Sequence, residues 1–484
     1  MKLLKDILPK GVETHGDLAV EVYGLTMDSR NAGAELNLFA AIKGTQVDGH
    51  DYIAKAIEKG ANVIIAEHMD ANTSEDVTWI LTDNSAKTLG QVAAAFHDNP
   101  SSKLKVIGVT GTNGKTTVSS LLHNLFTLLG EQCGLLSTVE YIVGKKRIPS
   151  THTTPDSIRL QAMLSEMVEA GCTCCFMEVS SHALQQERVA GLQFAGALFT
   201  NITHDHLDYH GTFRNYLYAK KLLFDGLGHD AFALVNRDDK NSSVVLQNCK
   251  ASKYTYALKR PADFKARLLE HDFSGMLLEI NGQEAWYKLV GTFNAYNLLA
   301  VYGAAFLCEF PEEEIITQMT RLESVEGRFQ YIKSPDGITA IVDYAHTPDA
   351  LENVLATINT IRTNNEQLIT VVGCGGDRDK EKRPLMAKTA LSKSTKVILT
   401  SDNPRFEDPK TILKEMEQGA EPQHFKKMLT IEDRENAIKT AISLAEHGDI
   451  ILIAGKGHET YQEIEGVRHP FDDREIFNRY TKTN

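Results

Sequence analysis

The 484-residue chain lacks both an excess of positive charge and a long hydrophobic run. It has 51 lysines and arginines against 64 aspartates and glutamates, and the resulting net charge of −13 argues against nucleic acid or an anionic membrane as the main partner. No run approaches the roughly 18 apolar residues of a transmembrane helix, and no apolar segment follows the first six residues as it does in a signal peptide. We therefore expect a cytoplasmic protein.

The sequence also lacks the second cysteine pair that a zinc site needs. Cys172, Cys174 and Cys175 lie close together, but no other pair and no nearby set of histidines completes a metal site. The segment continues into the apolar residues 176–179, which predicts a buried strand in which cysteine serves as a small apolar residue. The cysteines are therefore expected to be reduced and structural.

The most informative segment is 105–117, where an apolar strand pattern leads through a glycine turn into a helical pattern. Backbone N–H groups at such a helix start bind phosphate, Lys115 can reach the β- and γ-phosphates, and the hydroxyl of Thr116 can hold Mg²⁺. The usual phosphate loop has glycine where this chain has Val109, so the loop is a variant. The predicted nucleotide-binding residues of the loop are Gly111, Thr112, Asn113, Gly114, Lys115, Thr116 and Thr117.

Length and pattern predict three domains. A polar, structure-breaking segment at 99–103 reads as a linker, and we place the domains at 1–100, 101–330 and 331–484. Strands that alternate with helices predict an α/β fold class with mostly parallel sheets in the last two domains. The expected architecture is a smaller N-terminal α/β domain, a central phosphate-loop domain with a mostly parallel sheet, and a C-terminal Rossmann-like α/β domain.

Polar residues gather where several predicted strands end. Segments 178–182 and 200–208 follow strands of the central domain, and 375–379, 401–405 and 455–459 follow strands of the last domain. In parallel α/β sheets, ligands bind outside the carboxyl ends of the strands. A carboxylate and imidazoles beside a phosphate loop could bind Mg²⁺. The pattern therefore predicts a site at these strand ends.

The residues alone leave several alternatives open. The histidines at 204, 206 and 210 could be ordinary loop residues, and Lys220 in the helical run 213–224 has the pattern of a surface lysine. Asp343 could lie in a turn or accept hydrogen bonds from a ribose. Arg405 is a planar fork suited to a carboxylate, but a single arginine is more often a solvated surface charge.

Taken together, the motifs resemble the Mur ligase superfamily, the ATP-dependent amide-bond-forming enzymes of peptidoglycan precursor synthesis. The similarity spans the chain in order and is carried by segments 110–117, 178–182, 200–206, 327–328 and 343–346. Within the superfamily the chain is most similar to the MurE family, which adds the third residue of the stem peptide. The segments specific to that family are 153–156, 210–211, 219–220, 373–379, 402–405 and 455–459.

The resemblance implies roles for individual residues. Lys220 would be carbamylated, which turns a cation into a group with carboxylate-like oxygens suited to a second Mg²⁺. The catalytic residues would be Lys115, Glu178, His206 and Lys220, and the magnesium ligands Thr116, Glu178, His206 and the carbamylated Lys220. Beyond the phosphate loop, ATP would be contacted by Asn294, Arg328 and Asp343.

The same resemblance implies three substrate regions. The uridine nucleotide end would be bound by Met27, Ser29, Thr45, Gln46 and Val47. The muramoyl-dipeptide would be bound by His152, Thr153, Thr154, Ser180, Gln186 and Arg188, although the family commonly has asparagine at the first of these positions. The incoming amino acid would be bound by Arg378, Asp402, Asn403, Pro404, Arg405, Gly455 and Glu459.

The implied activity is the ligation of meso-2,6-diaminopimelate to UDP-N-acetylmuramoyl-L-alanyl-D-glutamate through an acyl phosphate, with ATP and Mg²⁺ and by a monomer. The Asp-Asn-Pro-Arg sequence at 402–405 marks diaminopimelate specificity in the family. Diaminopimelate differs from lysine by one added carboxylate, which Arg405 could bind through two hydrogen bonds. L-Lysine remains the alternative substrate.

Three rival functions share some of these features. A folylpolyglutamate-synthetase-like ligase has the same ATPase core, but the uridine-binding first domain and the 402–405 motif argue against it. A non-catalytic nucleotide-binding regulator is disfavoured because Lys115, Thr116, Glu178, His206 and Lys220 are all present. A phosphate-loop kinase or GTPase switch lacks support because the base-reading sequence Asn-Lys-x-Asp is absent from the later strands.

Overall fold

A computed structural model describes residues 1–44, 47–69, 76–363 and 365–481. Three main sheets lie in these ranges, built from strands within 13–81, 105–287 and 330–454, and we call the surrounding parts the N-terminal, central and C-terminal units. The predicted α/β fold class is confirmed. The domain boundaries at 100 and 330 stay a proposal.

The N-terminal unit is a small sheet with helices. Its sheet has the order β2-β7-β6-β5-β4 and is parallel except for β2, while β1 pairs with β3. The strands are β1 (Lys2–Leu3), β2 (Glu13–His15), β3 (Glu21–Val22), β4 (Leu25–Thr26), β5 (Leu38–Ala40), β6 (Val63–Ala66) and β7 (Thr78–Leu81). The helices are α1 (Leu4–Ile7), α2 (Ile53–Glu58) and α3 (Ser85–Phe96), with a 3₁₀ turn at Gly49–Tyr52. Asn84 caps α3 by accepting a hydrogen bond from the N–H of Lys87.

The central unit is built on a large mixed sheet. The strands are β8 (Lys105–Thr110), β9 (Cys133–Leu136), β10 (Glu140–Val143), β11 (Lys146–Pro149), β12 (Cys174–Glu178), β13 (Gly196–Phe199), β14 (Phe232–Asn236), β15 (Ser252–Ala257), β16 (Phe264–Asp272), β17 (Gly275–Ile280) and β18 (Gln283–Tyr287). The helices are α4 (Lys115–Leu128), α5 (Ser157–Glu169), α6 (Ser181–Gln185), α7 (Leu207–His210), α8 (Phe213–Asp225), α9 (Ser242–Val245), α10 (Thr292–Leu307) and α11 (Glu312–Met319).

The middle of this sheet is parallel and its two ends are antiparallel. The strand order is β11-β10-β9-β12-β8-β13-β14-β15-β16-β17-β18, and the run from β9 to β16 is parallel. Cys174 and Cys175 are buried in β12, beside the phosphate-loop strand β8. The predicted structural role of these cysteines is therefore confirmed. The carboxyl ends of β8, β12 and β13 lie side by side, which places their following loops together.

The C-terminal unit is a second, largely parallel sheet. Its order is β19-β20-β24-β21-β22-β23, and β19 is the antiparallel member. The strands are β19 (Gln330–Lys333), β20 (Thr339–Asp343), β21 (Leu368–Val372), β22 (Lys396–Leu399), β23 (Met428–Thr430), β24 (Ile450–Ala454) and the hairpin β25 (Tyr461–Ile464) and β26 (Val467–Pro470). The helices are α12 (Pro348–Ile361), α13 (Lys382–Lys393), α14 (Pro409–Glu417), α15 (Arg434–Leu444) and α16 (Asp473–Thr481).

Apolar side chains cover both faces of each main sheet. Alternate residues of β8 separate onto two cores, with Ile107 and Val109 packed against α4 and α10 and Val106 packed on the opposite face near α5 and α8. In the C-terminal unit the faces of β20 and β24 likewise contribute to two separate clusters. These cores fix the strand ends rigidly. No helix in the described ranges is long and apolar enough to cross a membrane.

Candidate active site

A cleft of about 1450 Å³ lies between the central and C-terminal units, at the carboxyl ends of their strands. The phosphate loop lies on one wall and the loops after β20, β21, β22 and β24 on the other. The cleft is lined by these predicted site residues: Thr112, Asn113, Gly114, Lys115, Thr116, Thr117, His152, Thr153, Thr154, Glu178, Ser180, Arg188, His206, Lys220, Arg328, Asp343, Arg378, Asp402, Asn403, Arg405, Gly455 and Glu459. Residues predicted from distant parts of the sequence thus meet in one place.

The phosphate loop is shaped by two glycines. A Cβ atom on Gly111 would lie 1.9 Å from the hydroxyl of Thr200, so no side chain fits there. Gly114 has φ +89° and forms the N-cap of α4, a conformation that glycine adopts readily. The side chain of Asn201 supports the loop by accepting a hydrogen bond from the N–H of Asn113 at 3.0 Å. The loop therefore presents the N-terminus of α4 to the cleft, as phosphate binding requires.

Two lysines meet at the loop. Lys115 Nζ donates to the carbonyl oxygens of Gly111 (3.0 Å) and Thr112 (2.9 Å), and Lys220 Nζ donates to the same Gly111 oxygen at 2.8 Å. Lys220 is 1% exposed. Burial lowers the pKa of Lys115, and burial together with the charge of Lys115 lowers the pKa of Lys220 well below its usual value. A lowered pKa increases the share of the neutral amine, which is the form that reacts with CO₂.

Glu178 ends β12 and His206 lies in the segment after β13, on the same wall of the cleft and on either side of the phosphate-loop strand β8. Glu178 is buried at the end of β12, where its carboxylate accepts hydrogen bonds from the N–H and the hydroxyl of Thr138 at 2.6 and 3.2 Å. His206 has φ +54° and packs edge-on against His182. Burial lowers the pKa of His206, so its imidazole is neutral at physiological pH, the form that binds a metal.

The side chains present fit a magnesium site whose remaining ligands would be substrate phosphates and water. In the described residues no group of three or more histidine, cysteine, aspartate or glutamate side chains could hold a metal ion by itself. Mg²⁺ commonly binds one or two carboxylates together with substrate phosphates and water. Thr116, Glu178 and His206 on one cleft wall supply such a partial set, and a carbamate on Lys220 would add oxygen donors.

The C-terminal unit contacts the phosphate loop directly. Arg328 Nη2 donates to the hydroxyl of Thr116 at 3.0 Å, and the guanidinium lies over the ring of Tyr344 at 4.5 Å. Asn113 Nδ2 donates to Asp349 Oδ2 at 2.9 Å. Burial raises the pKa of Asp343 to about 6, with Arg328 opposing the shift. The loop is therefore joined to the second unit by two hydrogen bonds.

Asn294 on α10 lies outside the cleft lining, whereas the predicted nucleotide contacts Arg328 and Asp343 belong to it. Asn294 is buried, its Nδ2 donates to the carbonyl oxygen of Val290 at 2.8 Å, and its Oδ1 accepts a hydrogen bond from Asn297 at 2.9 Å. Asn297 does line the cleft, next to Gly114. In this arrangement Asn294 orients Asn297 beside the phosphate loop.

The predicted amino-acid pocket is a set of hydrogen-bonded polar groups. Asn403 Nδ2 donates to Glu459 Oε2 at 2.8 Å, and its Oδ1 accepts from Lys456 at 3.0 Å. Arg405 Nη1 donates to the carbonyl oxygen of Gly376 at 2.6 Å. The pKa of Glu459 is raised by burial, although Lys456 opposes the shift. The pocket therefore combines a cationic fork with a buried carboxyl group.

Arg405 is held by its backbone as well as by its side chain. It has φ +51°, an unusual value for a residue with a side chain. Its N–H donates to the carbonyl oxygen of Glu463 at 3.0 Å and its own carbonyl oxygen accepts from the N–H of Glu465 at 2.8 Å. The β25–β26 hairpin thus fixes the direction of the guanidinium. Pro404 lies behind the lining, with its carbonyl oxygen 1.9 Å from an added Cβ atom on Gly376.

The predicted dipeptide residues form the outer end of the central wall. Thr154 Oγ1 donates to the carbonyl oxygen of Glu178 at 2.9 Å, and Arg188 Nη1 donates to the carbonyl oxygen of Thr154 at 2.9 Å. Gln186 is outside the lining, but its Oε1 accepts two hydrogen bonds from Arg188. Gln186 therefore orients an arginine that does face the cleft.

Three of the predicted uridine-binding residues, Met27, Ser29 and Val47, are not part of the cleft lining. Met27 and Val47 are exposed on the N-terminal unit, and Ser29 is buried there. Thr45 and Gln46 lie outside the described residues. Nothing in the cleft geometry bears on these five assignments, so they stay predictions.

The cleft also contains residues to which the sequence gave no role, among them Asp205, His346, Asp349 and Lys382. His346 directly follows Asp343-Tyr-Ala, and Asp205 stands between two candidate histidines, so their neighbours gave a signal. Asp349 and Lys382 lie in the first turns of α12 and α13, where charged residues usually face solvent. Only the packing of the two units shows that they line the cleft.

Comparisons with known proteins give the same picture along the whole chain. Three family matches cover it in order: the Mur ligase family catalytic domain at 21–97, the Mur ligase middle domain at 109–305 and the Mur ligase glutamate ligase domain at 327–457. The UDP-N-acetylmuramoyl-L-alanyl-D-glutamate--2,6-diaminopimelate ligase of Cytophaga hutchinsonii is 53% identical over 99% of both chains. The protein of the same name from Bacteroides fragilis is 51% identical over 98% of both.

Solved structures agree at the level of fold. A structure of a UDP-N-acetylmuramoyl-L-alanyl-D-glutamate--2,6-diaminopimelate ligase has a TM-score of 0.70, 34% identity and coverage of 99% of both chains. A folylpolyglutamate synthase from Mycobacterium tuberculosis has a TM-score of 0.62 and 18% identity, and covers 76% of this chain and 92% of its own, which shows a shared fold alone. The resemblance seen in the motifs is confirmed: the chain belongs to the Mur ligase family, among its UDP-N-acetylmuramoyl-L-alanyl-D-glutamate--2,6-diaminopimelate ligases.

Proposed function

We propose that the chain joins meso-2,6-diaminopimelate to UDP-N-acetylmuramoyl-L-alanyl-D-glutamate in peptidoglycan precursor synthesis. The reaction converts ATP to ADP and phosphate. The observation that carries the proposal is the meeting of the phosphate loop and the Arg405 pocket across one cleft. The loop supplies a phosphate site, and the pocket supplies a cation for a carboxylate. The proposed enzyme is a cytoplasmic monomer.

ATP is proposed to bind at the phosphate loop, with its phosphates at the N-terminus of α4 and at Lys115. In its present position the Lys115 ammonium bonds to two loop carbonyls. Phosphate oxygens would be stronger acceptors for this cation. Asp343, buried at the end of β20, and Arg328 beside it are proposed to contact the nucleotide from the C-terminal unit.

Four residues are proposed to hold magnesium: Thr116, Glu178, His206 and a carbamylated Lys220. The bound ion would neutralise charge on the phosphates. The burial of Lys220 against the phosphate loop, which lowers the pKa of its amine, supports carbamylation. The ordinary ammonium of a surface lysine would not react with CO₂. The protein's own contribution is to position these donors on rigid strand ends and to exclude water when the substrates fill the cleft.

The dipeptide end of the first substrate is proposed to bind the outer central wall, near Thr154 and Arg188. The partly buried Arg188 fork suits a substrate carboxylate. The γ-carboxylate of the glutamyl residue would then lie between the phosphate loop and the amino-acid pocket. The amine of diaminopimelate would approach from that pocket, where Arg405 binds the distant carboxylate and Glu459 accepts an ammonium.

Lys115→Ala tests the proposal. Purified wild-type protein, mixed with ATP, Mg²⁺, the UDP-muramoyl-dipeptide and diaminopimelate, should release ADP and form the tripeptide product seen by mass spectrometry. Lys115→Ala should lose at least 100-fold in kcat, because one preorganised donor to a developing charge contributes on the order of 10² or more. Exposed Lys388→Ala is the matched control and should keep wild-type activity. Near-normal turnover by Lys115→Ala would contradict the assignment.

A further inference from the structure

One buried lysine in the cleft has no role in the proposed function so far. Lys382 is the first residue of α13, is 8% exposed and lines the cleft. Within the described ranges its ammonium makes no hydrogen bond or ion pair with the protein. The next residue, Arg383, shows the contrast, because it is fully buried and paired with Glu407 at 2.9 Å and Glu415 at 2.5 Å.

Two other lysines of the cleft, at the phosphate loop, have protein acceptors, whereas Lys259 is exposed. Lys115 and Lys220 both donate to backbone oxygens of the phosphate loop. Buried charges in proteins are normally paired or hold a ligand, because removing an unpaired charge from water is costly. Lys382 faces the cleft without an acceptor, and its geometry therefore calls for an anionic ligand.

The surroundings of Lys382 locate that anion. Its charge acts on Asp205 of the central unit and on His346 of its own unit. Lys115 of the phosphate loop also acts on Asp205. Lys382, at the start of α13, lines the C-terminal wall of the cleft, and Lys115 lines the phosphate-loop wall of the same cleft.

Asp205 is engaged elsewhere and does not pair with Lys382. Its Oδ1 accepts a hydrogen bond from the N–H of His206 at 2.9 Å, and its Oδ2 lies 3.3 Å from His206 Nε2. On its other side Lys382 is close enough to act on Cys374, in the loop that also carries Arg378. Lys382 thus lines the cleft that the phosphate loop and the amino-acid pocket share.

We propose that Lys382 binds the phosphoryl group while it moves from ATP to the glutamyl carboxylate. The inference rests on the proposed function and extends it by one residue. A carboxylate oxygen forms a bond to the γ-phosphorus as the bond from phosphorus to the bridging oxygen breaks and ADP leaves. The amine nitrogen then bonds to the acyl carbon, the carbon–oxygen bond breaks, and phosphate leaves with the amine proton. Lys382 donates hydrogen bonds to the phosphoryl oxygens in both steps.

Steady-state kinetics with three variants test the role. Lys382→Ala should lower kcat by 10²- to 10³-fold, the usual effect of losing one donor to transition-state charge. Its KM for diaminopimelate should stay within about threefold of wild type, because the amino-acid pocket is intact. Lys382→Arg keeps a cation and should recover activity to within about tenfold of wild type. Lys388→Ala, on the exposed side of the same helix, should behave as wild type.

Isotope exchange separates binding of the phosphoryl group from a structural role. With the UDP-muramoyl-dipeptide present and diaminopimelate omitted, ¹⁸O in the β,γ-bridge of ATP scrambles only if phosphoryl transfer is reversible. Lys382→Ala should slow this exchange by the same factor as kcat while its thermal midpoint stays at the wild-type value. Normal exchange with a raised KM for diaminopimelate would overturn the inference and assign Lys382 to the amino acid.

Two further outcomes keep this inference distinct from the proposed function. An active wild type with an equally active Lys382→Ala would overturn the inference alone. A wild type that forms no tripeptide would overturn the proposed function, and the inference with it. Loss of activity in both Lys382→Ala and Lys382→Arg with lowered thermal midpoints would also count against it, because that pattern indicates a packing role.

Discussion

Arg405→Ala should weaken binding of diaminopimelate selectively. The guanidinium uses Nη1 on the carbonyl oxygen of Gly376 and lies 3.8 Å from Glu463, which leaves further N–H groups for a substrate carboxylate. The side chain is 22% exposed, so we take the lower end of the range for charged hydrogen bonds, about 1.5 kcal/mol each. Two such bonds give about 3 kcal/mol, on the order of a 100-fold rise in KM.

The assay is ADP release at varied diaminopimelate and, separately, at varied ATP. The KM for ATP should change by less than about threefold, because Arg405 is on the C-terminal wall and not at the phosphate loop. Arg405→Lys should fall between wild type and alanine, since lysine keeps the charge but loses the planar fork. Exposed Lys410→Ala in the same segment is the control.

One result would refute the reasoning about Arg405. If Arg405→Ala left the KM for diaminopimelate within about threefold of wild type, the guanidinium would not bind the distant carboxylate. An equal rise in the KM values for ATP and diaminopimelate would indicate a general loss of cleft structure. Because the backbone of Arg405 is held at φ +51°, the substitution could change the stability of the cleft. The thermal unfolding midpoints of wild type and Arg405→Ala should therefore be compared.

Two more predictions concern buried ionisable groups. Lys220→Ala should lower kcat by at least 100-fold, and added acetate should restore part of the activity by supplying carboxylate oxygens; full activity without acetate would contradict the carbamate. Burial raises the pKa of Asp343 from 3.8 to about 6, so the folded state holds the proton up to a higher pH than the unfolded state does. The stability of the wild type therefore falls as the pH rises from about 4 to about 6. Asp343→Asn cannot ionise, so wild type should lose about 3 kcal/mol relative to this variant between pH 4 and pH 7 in denaturant unfolding, and a pH-independent difference would contradict the account.

The sequence predicted the elements around the phosphate loop closely. The predicted strand and helix there correspond to β8 and α4, and the helical run predicted at 213–224 corresponds to α8. These elements carry strong apolar periodicity and, in α8, a clear cap at Thr212. Local signals were sufficient because they agree with the tertiary structure.

Other features depend on contacts between distant residues. The order of strands in the central sheet comes from pairings between distant segments, such as β8 with β12 and β13, that no local pattern specifies. Asn294 has the residue type of a ligand contact, yet its amide is used inside α10. The unexposed position of Lys220 follows from packing of α8 under the phosphate loop, which its helical spacing alone did not reveal.

The sequence predicted the site residues that stand at the ends of strands. It missed those that stand at the starts of helices. Glu178 and Asp343 are the last residues of β12 and β20, so their place in the cleft follows from the parallel sheet. Asp349 and Lys382 open helices α12 and α13, and only the meeting of the two units turns them toward the cleft. The bridge from Asp349 to Asn113 spans 236 positions in the chain.

The central claim is that one cleft joins a phosphate loop to a pocket built for an amino acid with a second carboxylate. The most direct measurement is ADP release by the wild-type protein with UDP-N-acetylmuramoyl-L-alanyl-D-glutamate and either meso-diaminopimelate or L-lysine, in parallel. The account predicts a kcat/KM at least 100-fold higher with diaminopimelate, from the two hydrogen bonds that Arg405 offers its carboxylate. Equal or better turnover with lysine would contradict it.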